Sequence, residues 1–378
     1  MNSCKDTSEE AFGVRHYENM EEEATPVRVV LVTGSSGFLG QHVVKELQEE
    51  EHATIREIRL FDSRPYVDKL GRVVPKTKLT KEYVGDICSA ADLNAALSGV
   101  DAVIHCASLV DSRFFADAAR MEKVNVQGTS NVVESCVAHD VSCLVYVSSV
   151  AATRLVRKRR RHLPLPEYAG PYGETKARAE SIVVNSNGRL LSNGRGRLRT
   201  LALRIPILYG ELDQIFITRC LRMSRLTFGF VFSLDRGIQG MYAGNAASLA
   251  VRGIKVLAGP EYHDVCGRFL YAGDETTQDL SLLLGPVAKA RGKRLFPLKV
   301  PSWLVFAISC AFWGTAKLLS PVAKLNSVAV PSPMEMVFIR RCPAYDGNEA
   351  AEKLGWRPKY SVDEAISASL DYYRNVKL

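Results

Sequence analysis

The chain has 378 residues, of which 47% are hydrophobic and 24% charged. That balance excludes wholesale disorder and leaves room for one large domain or two linked ones. The net charge of +8 is moderate and uneven: residues 5–24 lean acidic and Arg154 to His162 is mostly basic. Nine cysteines form no CxxC pair and no His/Cys zinc spacing. They read as free thiols of a reducing compartment, and no metal site is expected.

Residues 1–25 carry neither a hydrophobic period nor an apolar signal region, and are expected to form a loose tail. The first strand is expected at Val27–Val32, followed by a glycine cluster and a helix from Phe38 to about Glu50, with Leu39, Val43, Val44 and Leu47 at helical spacing. Strands at Ile55–Asp62 and Lys78–Gly85 come next. Alternation continues with a helix at Ala91–Leu97, a strand at Ala102–Cys106 and a helix at Val124–Ala138. It closes with Leu144–Ser149 as strand, Tyr172 to about Val184 as helix and Thr200–Ile205 as strand. This order predicts an α/β fold, a Rossmann-type doubly wound parallel sheet over residues 26–210.

Beyond residue 210 the pattern turns irregular, and residues 211–378 are expected to form a smaller C-terminal substrate lobe. Short elements are expected at Gly240–Gly244 and Arg268–Tyr271. Within the lobe, Val300–Ala316 is uncharged and flanked by Lys299 and Lys317. At 17 residues it is short for a membrane span of ~20. A span, a re-entrant segment and a core helix all stay open. Lys289, Arg291, Lys293 and Arg294 before it suit an anionic lipid surface.

The glycine cluster carries the first chemistry. In Thr33-Gly34-Ser35-Ser36-Gly37-Phe38-Leu39-Gly40, Gly34 permits a tight turn, Gly37 lets backbone approach a pyrophosphate, and Gly40 lets helix and strand pack closely. The diphosphate then meets the N–H groups at the helix start. Ser36, Phe38 and Leu39 belong to the same loop. Asp62 ends the second strand 22 residues after Gly40, where a carboxylate accepts from ribose hydroxyls and repels a 2′-phosphate, so NAD is expected over NADP. Asp86 and Ile87 are placed for the adenine end, Asp86 having a helix N-cap as its bland alternative. Ala107 and Ser108 follow the fourth strand, where small residues let the cofactor lie close. His105 reads as a packed strand residue.

Tyr172 and Lys176 stand four residues apart, on one face if helical. A lysine so placed lowers a phenol from its ordinary value of about 10 towards that of a working general base. Ser149, 23 residues earlier at a strand tip, can hold a substrate oxygen; Ser148 is its competitor. A lone Tyr-x-x-x-Lys pair says little. The order of glycine loop, acidic second strand, strand-tip serine and Tyr/Lys pair gives it meaning.

At this point the residues resemble the extended short-chain dehydrogenase/reductase superfamily, and within it the 3β-hydroxysteroid dehydrogenase/Δ5-4 isomerase family. The carrying segments include TGSSGFLGQHVVKEL (33–47), LVYVSS (144–149), PYGETKARAE (171–180), LALRIPILYGE (201–211) and KLGWRPKYSVDEAI (353–366). The resemblance runs from about residue 27 to the end. It implies Ser149, Tyr172 and Lys176 as the catalytic set, contacts of Tyr172 and Lys176 to the cofactor, and Asn125 supporting the lysine through a water. It also implies NAD, oxidation of the 3β-hydroxyl of a steroid or sterol to the ketone, and an endoplasmic reticulum or sometimes mitochondrial membrane contacted through 300–316. A homodimer is compatible with it. The basic run 154–162 departs from the family's usual substrate loop, and Δ5-to-Δ4 isomerisation is left open, with Tyr242 in the corresponding region.

Three rivals stay in view. A decarboxylating sterol-4α-carboxylate 3-dehydrogenase would use the same hydroxyl and the same loop. Nucleotide-sugar epimerases share the core motifs but have no use for the apolar stretch. A non-catalytic nucleotide-binding protein would work through the basic run 154–162; with no aromatics interleaved there, no nucleic-acid partner is expected.

Overall fold

The β-branched run near the start of the chain is buried on both sides, as a central parallel strand requires. The computed structural model describes residues 26–50, 54–70, 78–155, 167–276, 278–320, 330–341 and 345–378. The tail 1–25 and most of the basic run (156–162) lie outside them.

The first half alternates as expected: β1 (Val29–Thr33), α1 (Phe38–Glu49), β2 (Glu57–Asp62), β3 (Leu79–Val84), α2 (Ala90–Leu97), β4 (Ala102–His105), α3 (Ala118–Met121), α4 (Gly128–Ala138), β5 (Cys143–Ser149), α5 (Gly170–Asn185) and β6 (Arg199–Ile205). A π-helical turn, Glu122–Gln127, joins α3 to α4, so the helix expected from Val124 starts earlier and is wound differently at its beginning. After β6 come β7 (Ile207–Tyr209), α6 (Ile217–Met223), β8 (Phe230–Val231), β9 (Gly240–Tyr242), α7 (Ala243–Ala258) and β10 (Arg268–Tyr271). The chain ends with α8 (Leu280–Ala290), β11 (Arg294–Leu295), α9 (Ser302–Leu319), α10 (Pro333–Arg341), α11 (Glu349–Leu354) and α12 (Val362–Asn375).

Seven strands form one parallel sheet in the order β10-β6-β5-β4-β1-β2-β3. The order reverses between β1 and β4, and the crevice at such a switch point is where this architecture binds ligands. One face is covered by α1 and α7, with Val43 and Leu47 packed in one core with Leu249 and Ile254. The other is covered by α2, α4 and α5, through Leu93, Val132 and Val183. A third core, including Tyr209, Leu283 and Tyr373, holds the C-terminal lobe together.

The expected boundary at 210 needs revision. The chain returns to the sheet after it: α7 covers the β4–β6 face beside α1, and β10 becomes the strand next to β6. Edge strand β6 has a free side and the apolar surface above it must be covered, and the later segment supplies both. The segments that stand apart from the sheet are β7–β9, α6, α8, β11, α9, α10 and α12, while α11 packs on α7 and β10, so they do not form one continuous stretch.

Candidate functional site

The glycine loop is built as its spacing predicts. Gly34 has φ +71°, and a Cβ there would lie 2.8 Å from the Ala107 backbone, so only glycine fits without strain. A Cβ on Gly40 would sit 2.0 Å from the Gly34 carbonyl oxygen, which ties the first turn of α1 to the loop. Gly37 N–H donates back to that same oxygen at 2.9 Å. Asp62 is buried and accepts from the Ser36 N–H (3.1 Å) and the Arg64 N–H (3.1 Å). The Arg64 guanidinium, largely exposed, lies 3.6 Å from it. The Ser35 hydroxyl is buried with no hydrogen-bond partner among the described residues.

A cavity of 1540 Å³ runs from this loop across the carboxyl ends of the strands. Gly34, Gly37, Phe38, Leu39, Gly40 and Asp62 line one end. Asp86, Ile87, Ala107 and Ser108 line its side, and Ser149, Tyr172 and Lys176 its far wall. The fold thus brings together thirteen of the fifteen residues singled out from the sequence. The other two stand behind the wall. Ser36 spends its hydroxyl on the Arg64 and Pro65 carbonyls (3.2 and 3.3 Å).

Asn125 is buried in the π-helical turn. Its Nδ2 donates to the Leu109 carbonyl (3.0 Å) and the Thr175 hydroxyl (3.1 Å), and its Oδ1 accepts from Leu109 N–H (2.7 Å) and the Ser108 hydroxyl (3.2 Å). A π-turn, common at functional sites, lets this one amide tie the loop after β4 to α5 one residue before Lys176.

Ser148 and Ser149, adjacent on β5, point to opposite sides as strand residues must. The Ser148 hydroxyl donates to Glu180 Oε2 at 2.6 Å, in a buried network where Arg204 pairs with Glu180 at 2.6 Å. It is spoken for. Ser149 Oγ accepts from Ala151 N–H (3.1 Å) and lines the same cavity wall as the Tyr172 phenol. Gly173 lets α5 come this close, since a Cβ there would lie 2.5 Å from the Ala151 carbonyl.

Lys176 is buried, donates from Nζ to the Val147 carbonyl at 2.6 Å and lies 4.2 Å from the Tyr146 ring centroid. Burial draws the ammonium down to about 7, with Glu180 opposing. The Tyr172 phenol is pushed up to about 12 by burial, the Ser149 side chain pulling the other way. This differs from the expectation that Lys176 lowers the phenol. The physical reason is the lysine's own desolvation, which weakens its hold on a proton, and its engagement with Val147.

His105 is packed, as expected: its ring nitrogens contact the Thr33 hydroxyl (2.6 Å) and the Thr129 hydroxyl (3.0 Å), and burial lowers it to about 3. Tyr242 is also buried, its phenol donating to Glu211 at 2.9 Å, and it does not line the cavity. The sequence reading missed the second wall of that cavity. Phe114 and Phe115 after β4, Trp313 of α9, and Met334 and Phe338 of α10 all line it. Their only signal was apolarity, which core residues share.

The sequence profile of the 3-beta hydroxysteroid dehydrogenase/isomerase family matches residues 31–297. Mouse (Mus musculus) 3 beta-hydroxysteroid dehydrogenase type 7 is 31% identical over 377 residues, covering 92% of this chain and 96% of that one. Among solved structures, MoeE5 in complex with UDP-glucuronic acid and NAD superposes with a TM-score of 0.61 at 22% identity, covering 91% of this chain and 98% of that chain. A DesIV double mutant (dTDP-glucose 4,6-dehydratase) from Streptomyces venezuelae, with NAD and DAU bound, gives 0.59 at 21% identity, over 92% and 97%. At these identities the structures establish the shared fold. The profile match and the mouse relative, aligned along nearly its full length, establish more: the chain belongs to the 3-beta hydroxysteroid dehydrogenase/isomerase family.

Proposed function

We propose that this chain oxidises the 3β-hydroxyl of a steroid or sterol to the 3-ketone, with NAD as acceptor. The observation that carries the reading is one cavity lined at one end by the glycine loop and Asp62 and at the other by Ser149, Tyr172 and Lys176. The glycine loop and the start of α1 hold the diphosphate on backbone N–H groups, and Asp62 takes the adenosine ribose. When bound, the nicotinamide supplies the acceptor for the hydride leaving C3. Ser149 Oγ holds the substrate oxygen, and Tyr172 Oη receives its proton. Lys176 stands in the same cavity wall as Tyr172, and Asn125 fixes the loop and helix that set Lys176 in place. The apolar residues of α9 and α10 in the cavity wall suit the rings of a steroid. Helix α9 is the membrane-associating segment, and the endoplasmic reticulum the expected location.

The test is a comparison of substrates followed by NADH absorbance. A 3β-hydroxy-5-ene steroid, a saturated 3β-hydroxysteroid and a 4-carboxysterol are each offered with NAD and with NADP. Turnover of the first two with NAD supports the reading. Appearance of a conjugated enone from the first assigns isomerisation as well, and turnover of the 4-carboxysterol alone assigns the decarboxylating reaction instead. Asp62→Ala is expected to shrink the preference for NAD over NADP by about tenfold, the size of one lost charge-assisted hydrogen bond. An unchanged ratio refutes its ribose role.

A further inference from the structure

Helix α9 inverts the pattern of a water-soluble surface helix. Its buried residues are the small Ser302, Ser309 and Ala316, one heptad apart. Trp303, Ile308, Phe312 and Leu318 are exposed by 59, 43, 53 and 80%. The helix packs chiefly on α10, whose Arg340 lies 5.5 Å from the centre of the Phe306 ring. Exposed apolar surface of this extent marks a membrane or partner contact.

The path of the chain decides which kind of membrane contact is feasible. The 18 residues of α9 reach about 27 Å, just short of a ~30 Å hydrocarbon core. A single crossing would put everything after Leu319 on the far side. Yet α12, after it, shares a core with α8, before it: Leu283 and Leu284 pack with Ala365 and Tyr373. The Tyr373 phenol also donates to Asp213 at 3.2 Å, and Glu335 of α10 binds Arg219 through both oxygens (2.8 and 2.9 Å). Both flanks of α9 belong to one body on one side of any bilayer.

The inner side of the same helix belongs to the reaction cavity, since Cys310, Trp313 and Gly314 line it. Helix α9 is therefore at once part of the cavity wall and part of the outer surface. Among the described residues, no neighbouring atom lies within 4 Å of where a Gly314 Cβ would be. Exposed Lys289, Arg294 and Lys299 precede α9 and exposed Lys317 ends it, a charge distribution complementary to anionic lipid. The turn before β8 adds exposed Leu226 and Phe228 (70 and 99%), and it is joined to the basic strand β11 by the Arg294 N–H to Gly229 carbonyl bond of 3.2 Å.

We infer that α9 lies in the plane of one leaflet of an anionic bilayer, at the headgroup–acyl boundary, and that the cavity is loaded from the lipid past α9. The seat deepens the reading of α9 as the membrane-associating segment, and the cargo, a membrane-dissolved sterol, rests on the proposed reaction.

The experiment uses the full chain with sealed vesicles of phosphatidylcholine and phosphatidylserine. The wild type is expected to float with the vesicles, and epitope tags at both termini to be removed together by external protease. Failure to float, or a protected C-terminal tag, overturns the in-plane seat. Ile308→Glu/Phe312→Glu is expected to lose flotation and to raise KM for vesicle-borne sterol about tenfold, while turnover of a freely dissolved steroid stays unchanged. Equal KM values for wild type and variant overturn loading from lipid. Should that variant lose its circular dichroism, Trp303→Ser serves in its place. If the wild type turns over no dissolved steroid, the proposed reaction fails while flotation and tag removal still report on the seat.

Discussion

Helices α7 and α9 are nearly equal in length and opposite in fate. Of the 16 residues of α7, 14 are buried; of the 18 of α9, three are. Both are apolar. Helix α7 lies on the sheet beside α1, where β4, β5 and β6 offer an uncovered apolar face, whereas α9 has α10 as its main neighbour. Burial follows from what a helix can be laid against, and apolar composition alone does not distinguish a core helix from one left at the surface.

That contrast can be broken or sharpened by experiment. The largest effect is expected in the buried half: Tyr172→Phe should lower kcat by about 10²–10⁴-fold while leaving NAD binding and the melting temperature in place. A variant with near-normal turnover would remove the phenol from the chemistry. Next, Arg204→Met leaves the Glu180 carboxylate, 5% exposed, without its cation, and should cost about 3–5 kcal/mol in denaturant unfolding. A loss below about 1 kcal/mol would mean that this pair behaves as a surface pair.

The helices themselves can be compared through one glycine each. A Cβ on Gly253 of α7 would stand 3.2 Å from Val145 and 3.3 Å from Leu201, so Gly253→Leu should destabilise by about 1–3 kcal/mol through overpacking. His105 adds a pH dependence to the buried half. Its ring, lowered from 6.5 to about 3, is neutral in the fold and protonated in the unfolded chain between those values. Stability is therefore lost as pH falls from 6.5 towards 3, by at most about 1.4 kcal/mol per pH unit. Acid unfolding of His105→Gln should lack that slope. The smallest effect is expected at α9, where Gly314→Ala meets nothing within 4 Å among the described residues and should gain up to about 1 kcal/mol from helix propensity. A substantial loss on thermal unfolding would show α9 to be packed after all.

Some of these features were legible in the sequence and others were not. The glycine loop could be read because each glycine answers a local backbone demand, and Tyr172 and Lys176 because four residues make one helical turn. The choice between Ser148 and Ser149 follows from strand alternation only once Glu180 is known to stand behind one of them. Helix α7 was missed because the first half of its buried face is made of small residues (Ala243, Gly244, Ala246, Ala247, Ala250), which mark an apolar stripe only weakly. The π-turn at Asn125 was missed because one extra residue in a helix leaves no signature in composition.

By itself, the sequence determined the alternating order of strands and helices, the nucleotide loop, the acidic end of β2 and the spacing of the Tyr–Lys pair, since all of these depend on neighbours within a few residues. Only the tertiary structure decided that β10 and α7 rejoin the first half, that Lys176 is desolvated against Val147, and that α9 is at once a wall of the cavity and an outer surface. Those outcomes depend on contacts between segments far apart in the chain, where burial and charge are set by whatever the fold brings alongside.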